Sequence, residues 1–254
     1  MKRKGQVTLF VILGLVLATS LILLIFFKMD TLKSYIGPSK KVAVSPQVQN
    51  IDSFVKECIR TTGYEALWLT GQQGGYFRVP KLSTGLGIPY YFANGKSYMP
   101  SKERIEKEIS SYMNMGLFFC TKNFVDFPGL DVNQGRVVTK TEIKDDEIVL
   151  NVEYPLVITK EYTSFNLKEF KDIKIPVRLG VVYDVIDEIM QEQLRNKDTI
   201  CLSCLINLGI EKDLHIDATD YGSDPVIFTL QDKKSQIDNE PYEFMFANKY
   251  EVKR

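Results

Sequence analysis

The chain is poor in histidine, with one residue, and in tryptophan, also with one. A single imidazole cannot build the His-rich ligand sets of catalytic zinc or non-haem iron, so metal catalysis of that kind is excluded and no metal or other cofactor is expected. No G-x-S-x-G stretch occurs, which removes the nucleophile turn of an α/β-hydrolase. No fixed-period repeat occurs either, which removes solenoids and propellers. Net charge is absent too, 32 Lys and Arg balancing 32 Asp and Glu, but the balance hides a polarity. Residues 1–41 hold seven basic side chains against one acidic, leaving 25 against 31 for residues 42–254. An acidic outer portion binds phosphate backbones poorly, so nucleic acid is not an expected partner.

What the chain does have is a hydrophobic fraction of 44% alongside 25% charged residues, enough to bury a core in the 254-residue length and too much for a disordered chain. It also has one long uncharged run, Gln6 to Phe27, of 22 residues. At about 1.5 Å per residue such a helix matches a hydrocarbon layer about 30 Å thick. Lys2, Arg3 and Lys4 precede it, whereas Lys28, Asp30 and Lys33 nearly balance beyond it. The positive-inside rule then keeps the N-terminus in the cytoplasm and sends the bulk of the chain outward, giving a single-pass protein of the cell membrane with the lipid bilayer as partner. A permanent anchor and a cleaved leader both fit the run. A secretory signal fits less well, because its apolar region is shorter, about 7 to 15 residues.

Lys4-Gly5-Gln6-Val7-Thr8-Leu9 resembles the class III signal peptide of archaeal type IV pilin-like proteins. The resemblance implies a prepilin peptidase that cuts between Gly5 and Gln6, ahead of the apolar helix, and other pilin-like subunits or a second copy as assembly partners. Pilin subunits of this kind carry Glu at the fifth position after the cut; here it is Phe10. That departure points away from a major filament subunit and toward a minor or non-polymerising relative. Gly14 and Ala18 form a small-xxx-small pair through which two such helices can approach. Further along, the blocks GQQGGYF, IPYYF and PYEFMFANKY are similar to those of archaeal membrane-anchored proteins with no assigned activity.

The organisation expected is a leader at 1–5, a transmembrane helix at 6–27, a stalk at 28–46 and an extracytoplasmic α+β domain at 47–254. The stalk is poorly periodic and holds Pro, Ser and Lys. In the domain, Ser45 and Pro46 open a helix whose apolar positions Val48, Ile51, Val55, Cys58, Thr62, Ala66 and Leu69 recur at helical steps, with Gly71 as its stop. Asn94-Gly95 turns a small hairpin. A second helix starts at Ser101, with Ile105, Ile109, Tyr112 and Met113 inward and Glu103, Glu106 and Glu108 near its positive end. The period then changes to two: Val137 to Ile143 pairs with Ile148 to Leu156 across a Lys144–Glu147 turn, and a third strand runs from about Phe165 to Ile175. Pro176 opens another helix, and a short one follows from about Asp198, stopped by Gly209. Strands close the chain at 214–219, 226–230 and 242–252, with the polar run QDKKSQIDNE as the loop between the last two. The fold class is thus α+β, with about four helices and mainly antiparallel strands after an N-terminal transmembrane helix.

Four cysteines, Cys58, Cys120, Cys201 and Cys204, fall outside the cytosol, where disulfides form and persist. Cys58 lies on the inward face of the first helix and Cys120 just after the second, so their link is the expected staple, against unpaired core thiols. Cys201-Leu202-Ser203-Cys204 has the spacing of a local disulfide, of two buried thiols, of a redox pair at a helix start, or of a metal pair, although zinc needs two further ligands where the chain offers one His. His215 and Asp217 share one strand face, as a base and its orienting carboxylate do, but no attacking Ser stands out. Asn94 to Ser97 is a turn and not a phosphate loop. Gly71 to Gly75 reverses the chain at a helix C-terminus, which repels anions. The functional expectation is a non-catalytic, outward-facing structural or interaction protein. An anchored thiol-disulfide enzyme using Cys201 and Cys204, or a receptor domain using the aromatics between Tyr76 and Tyr98, are the alternatives. Protein isolated from native membranes is expected to begin at Gln6 by N-terminal and intact-mass measurement; a chain that retains Lys2 to Gly5 contradicts the leader.

Overall fold

The structure, a computed structural model, describes residues 46–220 and 225–250. The apolar run at 6–27, the Gly5–Gln6 junction, the Gly14/Ala18 pair and the Ser45 cap lie outside the described residues. Among the described residues no helix is long and apolar enough to cross a membrane. The architecture of the described residues is α+β with four α-helices and two mostly antiparallel sheets. From Gln47 on, the chain forms one compact unit.

Helix α1 (Pro46–Gln72) has Pro46 as its first residue, and buries Val48, Ile51, Val55, Cys58, Ile59, Ala66 and Leu67, a three- and four-residue spacing that lines one face. Gly71 is not its stop. The chain reverses at Gly74 (φ +55°) and Gly75 (φ +80°), and Gly75 N–H closes the end on the Thr70 carbonyl at 2.7 Å. Gly71 serves close packing instead, because a Cβ there collides with the backbone carbonyl of Glu243, so only glycine lets α1 lie this close to its strand. Gly63, two turns earlier, sits against the side-chain ends of Ile175 and Leu150.

Five strands form the first sheet, in the order β2 (Lys96–Ser97), β1 (Tyr90–Ala93), β9 (Glu240–Lys249), β8 (Pro225–Ile237) and β7 (His215–Asp220). Only β1 and β9 pair in parallel. Asn94 (φ +51°) and Gly95 (φ +70°) turn the β1–β2 hairpin as expected. Tyr91, Phe246 and Phe228 stack across β1, β9 and β8 with successive ring centroids 4.8 Å apart. In the second sheet β5 (Ile148–Lys160) is central. β6 (Thr163–Ile175) runs along it as a long hairpin partner, while β4 (Val138–Ile143) and β3 (Asp131–Gln134) pair with its first and second halves.

Helix α2 (Lys102–Thr121) is capped by Ser101 and followed by a 3₁₀ turn, Lys122–Phe124. It covers the edge of β4 in a way that alternation alone does not foretell. Glu106, Ser110 and Asn114 accept the backbone N–H groups of Ile143, Thr141 and Thr139 at 2.9, 3.2 and 2.7 Å. Steps of four on the helix advance about 6 Å and steps of two on the strand about 6.8 Å, so the two rows stay in register over three bonds. An edge that otherwise invites another strand is thereby closed. Buried Glu108, expected to act only on the helix dipole, also accepts Phe77 N–H and Arg78 N–H at 3.1 and 3.3 Å and pins the glycine-rich loop.

Three boundaries differ from those expected of the sequence. Helix α3 (Leu179–Arg195) begins after Pro176 by three residues, because Val177 N–H first bonds Ile175 O. Helix α4 (Leu202–Lys212) passes through Gly209 and stops at Asp213 (φ +54°); Gly209 is instead where the Leu214 carbonyl packs closely. The polar run QDKKSQIDNE is not a loop. Strand β8 continues through it to Ile237 and turns at Asp238-Asn239, both with positive φ. A bulge between Asp232 and Gln236 turns Asp232 and Ser235 inward, where Arg178 meets Asp232 at 2.9 Å and Ser235 Oγ accepts Arg178 N–H. Asp232 and Ser235 find buried polar partners, while Lys233, Lys234 and Gln236 of the same run stay exposed.

Gly63→Ala and Gly71→Ala bring the same gain in helix propensity, about 1 kcal/mol. Urea unfolding is expected to separate them: Gly63→Ala stays within about 1 kcal/mol of the parent because side-chain ends yield, whereas Gly71→Ala loses about 2 kcal/mol against an unyielding carbonyl.

Candidate functional site

The outer side of α1 and the tip of the β8–β9 hairpin enclose two adjoining cavities. One, of about 480 Å³, is lined by Trp68 and Gln72 of α1 and by Ile237, Asp238, Glu240, Pro241, Tyr242 and Glu243 of the hairpin. The other, of about 340 Å³, lies on the α1–α2 side, where Tyr64, Glu65 and Tyr112 join Trp68, Ile237 and Asp238. Trp68, Ile237 and Asp238 line both, so the two form one groove divided by the indole. Trp68 is 56% exposed, an unusual place for the chain's one tryptophan. Its neighbours Ala66 and Leu67 are fully buried, which sets Trp68 on the solvent side of the same turn.

The groove's electrostatics have one sign. Glu65, Asp238, Glu240 and Glu243 line it, and among its lining residues there is no Lys, Arg or His. Two of the four carboxylates are held by neutral donors: Tyr112 OH donates to Glu65 at 3.3 Å, and Gln72 and Gln231 donate to Glu243 at 3.3 and 2.6 Å. Burial raises the Tyr112 hydroxyl above its ordinary pKa, and the charge and hydrogen bond of Glu65 add to the effect. Burial, with Asp232 nearby, raises that of Tyr242 further. Both stay protonated and neutral at physiological pH. Tyr242 is 1% exposed and its hydroxyl has no hydrogen-bond partner in the structure. A flat aromatic, an acidic rim and apolar walls suit a cation carried on an apolar stem.

The cysteines fall into two disulfides. Cys58 joins Cys120 with Cα atoms 5.6 Å apart, tying α1 to α2 as expected. Cys201 joins Cys204 with Cα atoms 5.2 Å apart at the head of α4, as the local-disulfide reading has it. Loop-closure scaling gives the first, at a separation of 62 residues, about 4 kcal/mol of stabilisation. For the second, at a separation of three, the same scaling gives about 2 kcal/mol. Glu192 brings a carboxylate within 4.8 Å of both sulfurs, but sulfurs bonded to each other offer no thiolate to a metal.

The other sequence candidates separate. His215 and Asp217 are both exposed on β7, and Asp217 accepts Thr219 Oγ1 at 2.7 Å. Of the aromatics between Tyr76 and Tyr98, Tyr91 and Phe92 are core at 1% and 2% exposure, Tyr76, Phe77 and Tyr90 are half-buried, and Tyr98 is exposed. The groove is not legible in the sequence by motif, although the lone Trp68 at a position off the apolar face of α1 is its signal. Neither a scan against protein-family models nor searches of curated proteins and solved structures returns a match.

Collisional quenching reads the groove directly, since Trp68 is the sole tryptophan. Relative to free tryptophan amide, caesium is expected to quench its emission better than iodide at low salt. The difference should shrink toward 0.5 M salt as ions of about 4 Å Debye length screen the carboxylates; equal relative quenching at low salt excludes an acidic groove.

Proposed function

We propose that this chain is a single-pass, outward-facing membrane protein, pilin-like at its N-terminus, which acts by binding, with the Trp68 groove as its contact surface for a basic segment of a partner polypeptide. The uncharged run at 6–27, the basic residues before it and the two disulfides of the outer domain support the placement. Disulfides persist in oxidising compartments, where the topology sends this domain. The observation that carries the binding reading is the composition of the groove: four carboxylates and an exposed indole with no basic side chain among its lining residues. A lysine or arginine side chain answers each part, its methylene stem on the indole face and its charge among the carboxylates. If the N-terminal helices also pack side by side through Gly14 and Ala18, the domains would be displayed as an array, each offering its groove.

Full-length protein in detergent micelles, titrated with a lysine- and arginine-rich peptide, is expected to show a change in Trp68 emission that an aspartate-rich peptide of equal length does not produce. Affinity should fall with salt, and Glu65→Gln, Asp238→Asn and Glu240→Gln together should weaken it about tenfold or more. An unchanged emission with the basic peptide, or equal binding of both peptides, excludes the groove as this contact surface.

A further inference from the structure

Cys201 and Cys204 lie on elements that take no part in the Trp68 groove, and a link between residues three apart constrains little chain. Their surroundings are those of a reactive pair. Cys201 is the N-cap of α4, and its Sγ accepts the Cys204 N–H at 3.3 Å, so the head of an 11-residue helix faces that sulfur. Such a donor, with the helix dipole behind it, favours a thiolate there. Both sulfurs belong to half-buried residues, and the two residues between them, Leu202 and Ser203, are exposed; in the other disulfide Cys120 is half-buried as well, but Cys58 is 2% exposed. The Glu192 carboxylate, paired with Arg195 at 2.7 Å, stands within 4.8 Å of both sulfurs. Leading away from the disulfide, Leu202, Ile206 and Ile210 form a stripe at four-residue spacing on the outer side of α4, exposed by 62, 63 and 77%. Three large aliphatic side chains in a row, on a helix that buries only Leu205 and Gly209, mark a contact face. The disulfide at its head states the chemistry of what docks there.

We infer that Cys201–Cys204 is a thiol-disulfide exchange site, and that its substrate is a polypeptide carrying two thiols between apolar side chains. This does not rest on the reading of the groove. In the first step a substrate thiolate attacks Cys201 Sγ; a substrate–Cys201 bond forms, the Cys201–Cys204 bond breaks, and its electron pair leaves on Cys204, which takes up a proton. The second substrate thiol then gives its proton to water and, as a thiolate, attacks the substrate sulfur of the mixed disulfide. Cys201 departs as a thiolate held by Cys204 N–H, and is protonated in turn. Two substrate thiols are oxidised to a disulfide, the Cys201–Cys204 disulfide is reduced to two thiols, and two protons pass between them. A disulfide-bearing polypeptide restores the pair by the same steps in reverse. The stripe of Leu202, Ile206 and Ile210 holds a polypeptide through its apolar residues; a small hydrophilic thiol touches none of it.

The test uses oxidised full-length protein in detergent, with two reductants at equal thiolate concentration: reduced glutathione, and a synthetic peptide with two cysteines among leucines. Alkylation and peptide mass follow both disulfides. Cys201–Cys204 is expected to open while Cys58–Cys120 stays closed, with the peptide faster than glutathione by about tenfold or more beyond its intrinsic reactivity toward a small linear disulfide. Leu202→Ser, Ile206→Ser and Ile210→Ser together should abolish that excess, bringing the peptide's corrected rate to that of glutathione on the same variant. Cys204→Ser, which leaves the stripe intact, should trap the oxidised form of the same peptide as a mixed disulfide on Cys201. Equal corrected rates for the two reductants, or an excess that survives the triple substitution, overturn the polypeptide substrate. Failure of Cys204→Ser to trap the peptide, or a Cys201–Cys204 bond as unreactive as Cys58–Cys120, overturns the exchange site.

Discussion

Helix α1 lies against two sheets at once, and it does so where it has no side chain. At Gly63 it meets Leu150 and Ile175 of the β5–β6 hairpin, and at Gly71 it meets the backbone of β9. Between these points Ala66, Leu67 and Thr70 are buried, so a short stretch of one helix spans the two sheets. Everything else is arranged around that spine. The Cys58–Cys120 link attaches α2 to it, and α2 in turn supplies the acceptors that close the edge of β4. A close helix–sheet approach gains dispersion contact across the interface, and a methyl group set against an unyielding backbone carbonyl, as at Gly71, weakens it.

The same fixed orientation explains the groove. With the inner face of α1 committed to the sheets, Tyr64, Glu65 and Trp68 are left on the outer side, where the β8–β9 hairpin rises beside them. That hairpin projects because strand β8 continues through its polar run, stabilised at the bulge by the Arg178–Asp232 pair and Ser235. A buried ion pair contributes little net stability, yet removing one partner strands a charge, so such pairs hold a bulge in one geometry. Its two exposed acidic tip residues, Asp238 and Glu240, thereby reach the helix and join Glu65 in an unneutralised acidic rim.

Local chemistry is legible in the residues and cooperative chemistry is not. Asn94-Gly95, the Lys144–Glu147 turn and the Ser101 cap are read from a few residues because each is set by the φ preference or hydrogen-bonding reach of those residues alone. The polar run after Leu230 reads as a loop and is a strand, because polarity signals solvent only when no buried partner is available, and Arg178 lies more than 50 residues away. Gly71 and Gly209 read as helix stops and are not, because a glycine that ends a helix and one that admits a neighbouring carbonyl look identical in sequence. The acidic and aromatic members of the groove come from three segments, none of which stands out by itself.

The amino-acid order alone determined the class of fold, the four helices among the described residues, most strands, and the charge division between the two ends, since periodicity and charge are properties of neighbouring residues. It also made the cysteine staple between the first two helices a reasonable expectation. Tertiary structure decided which cysteines meet, the parallel pairing of β1 with β9, the filling of the β4 edge by α2, and the acidic groove around Trp68. Each depends on residues separated by tens to more than a hundred positions being brought within a few ångströms, and only the packing of the whole chain sets such distances.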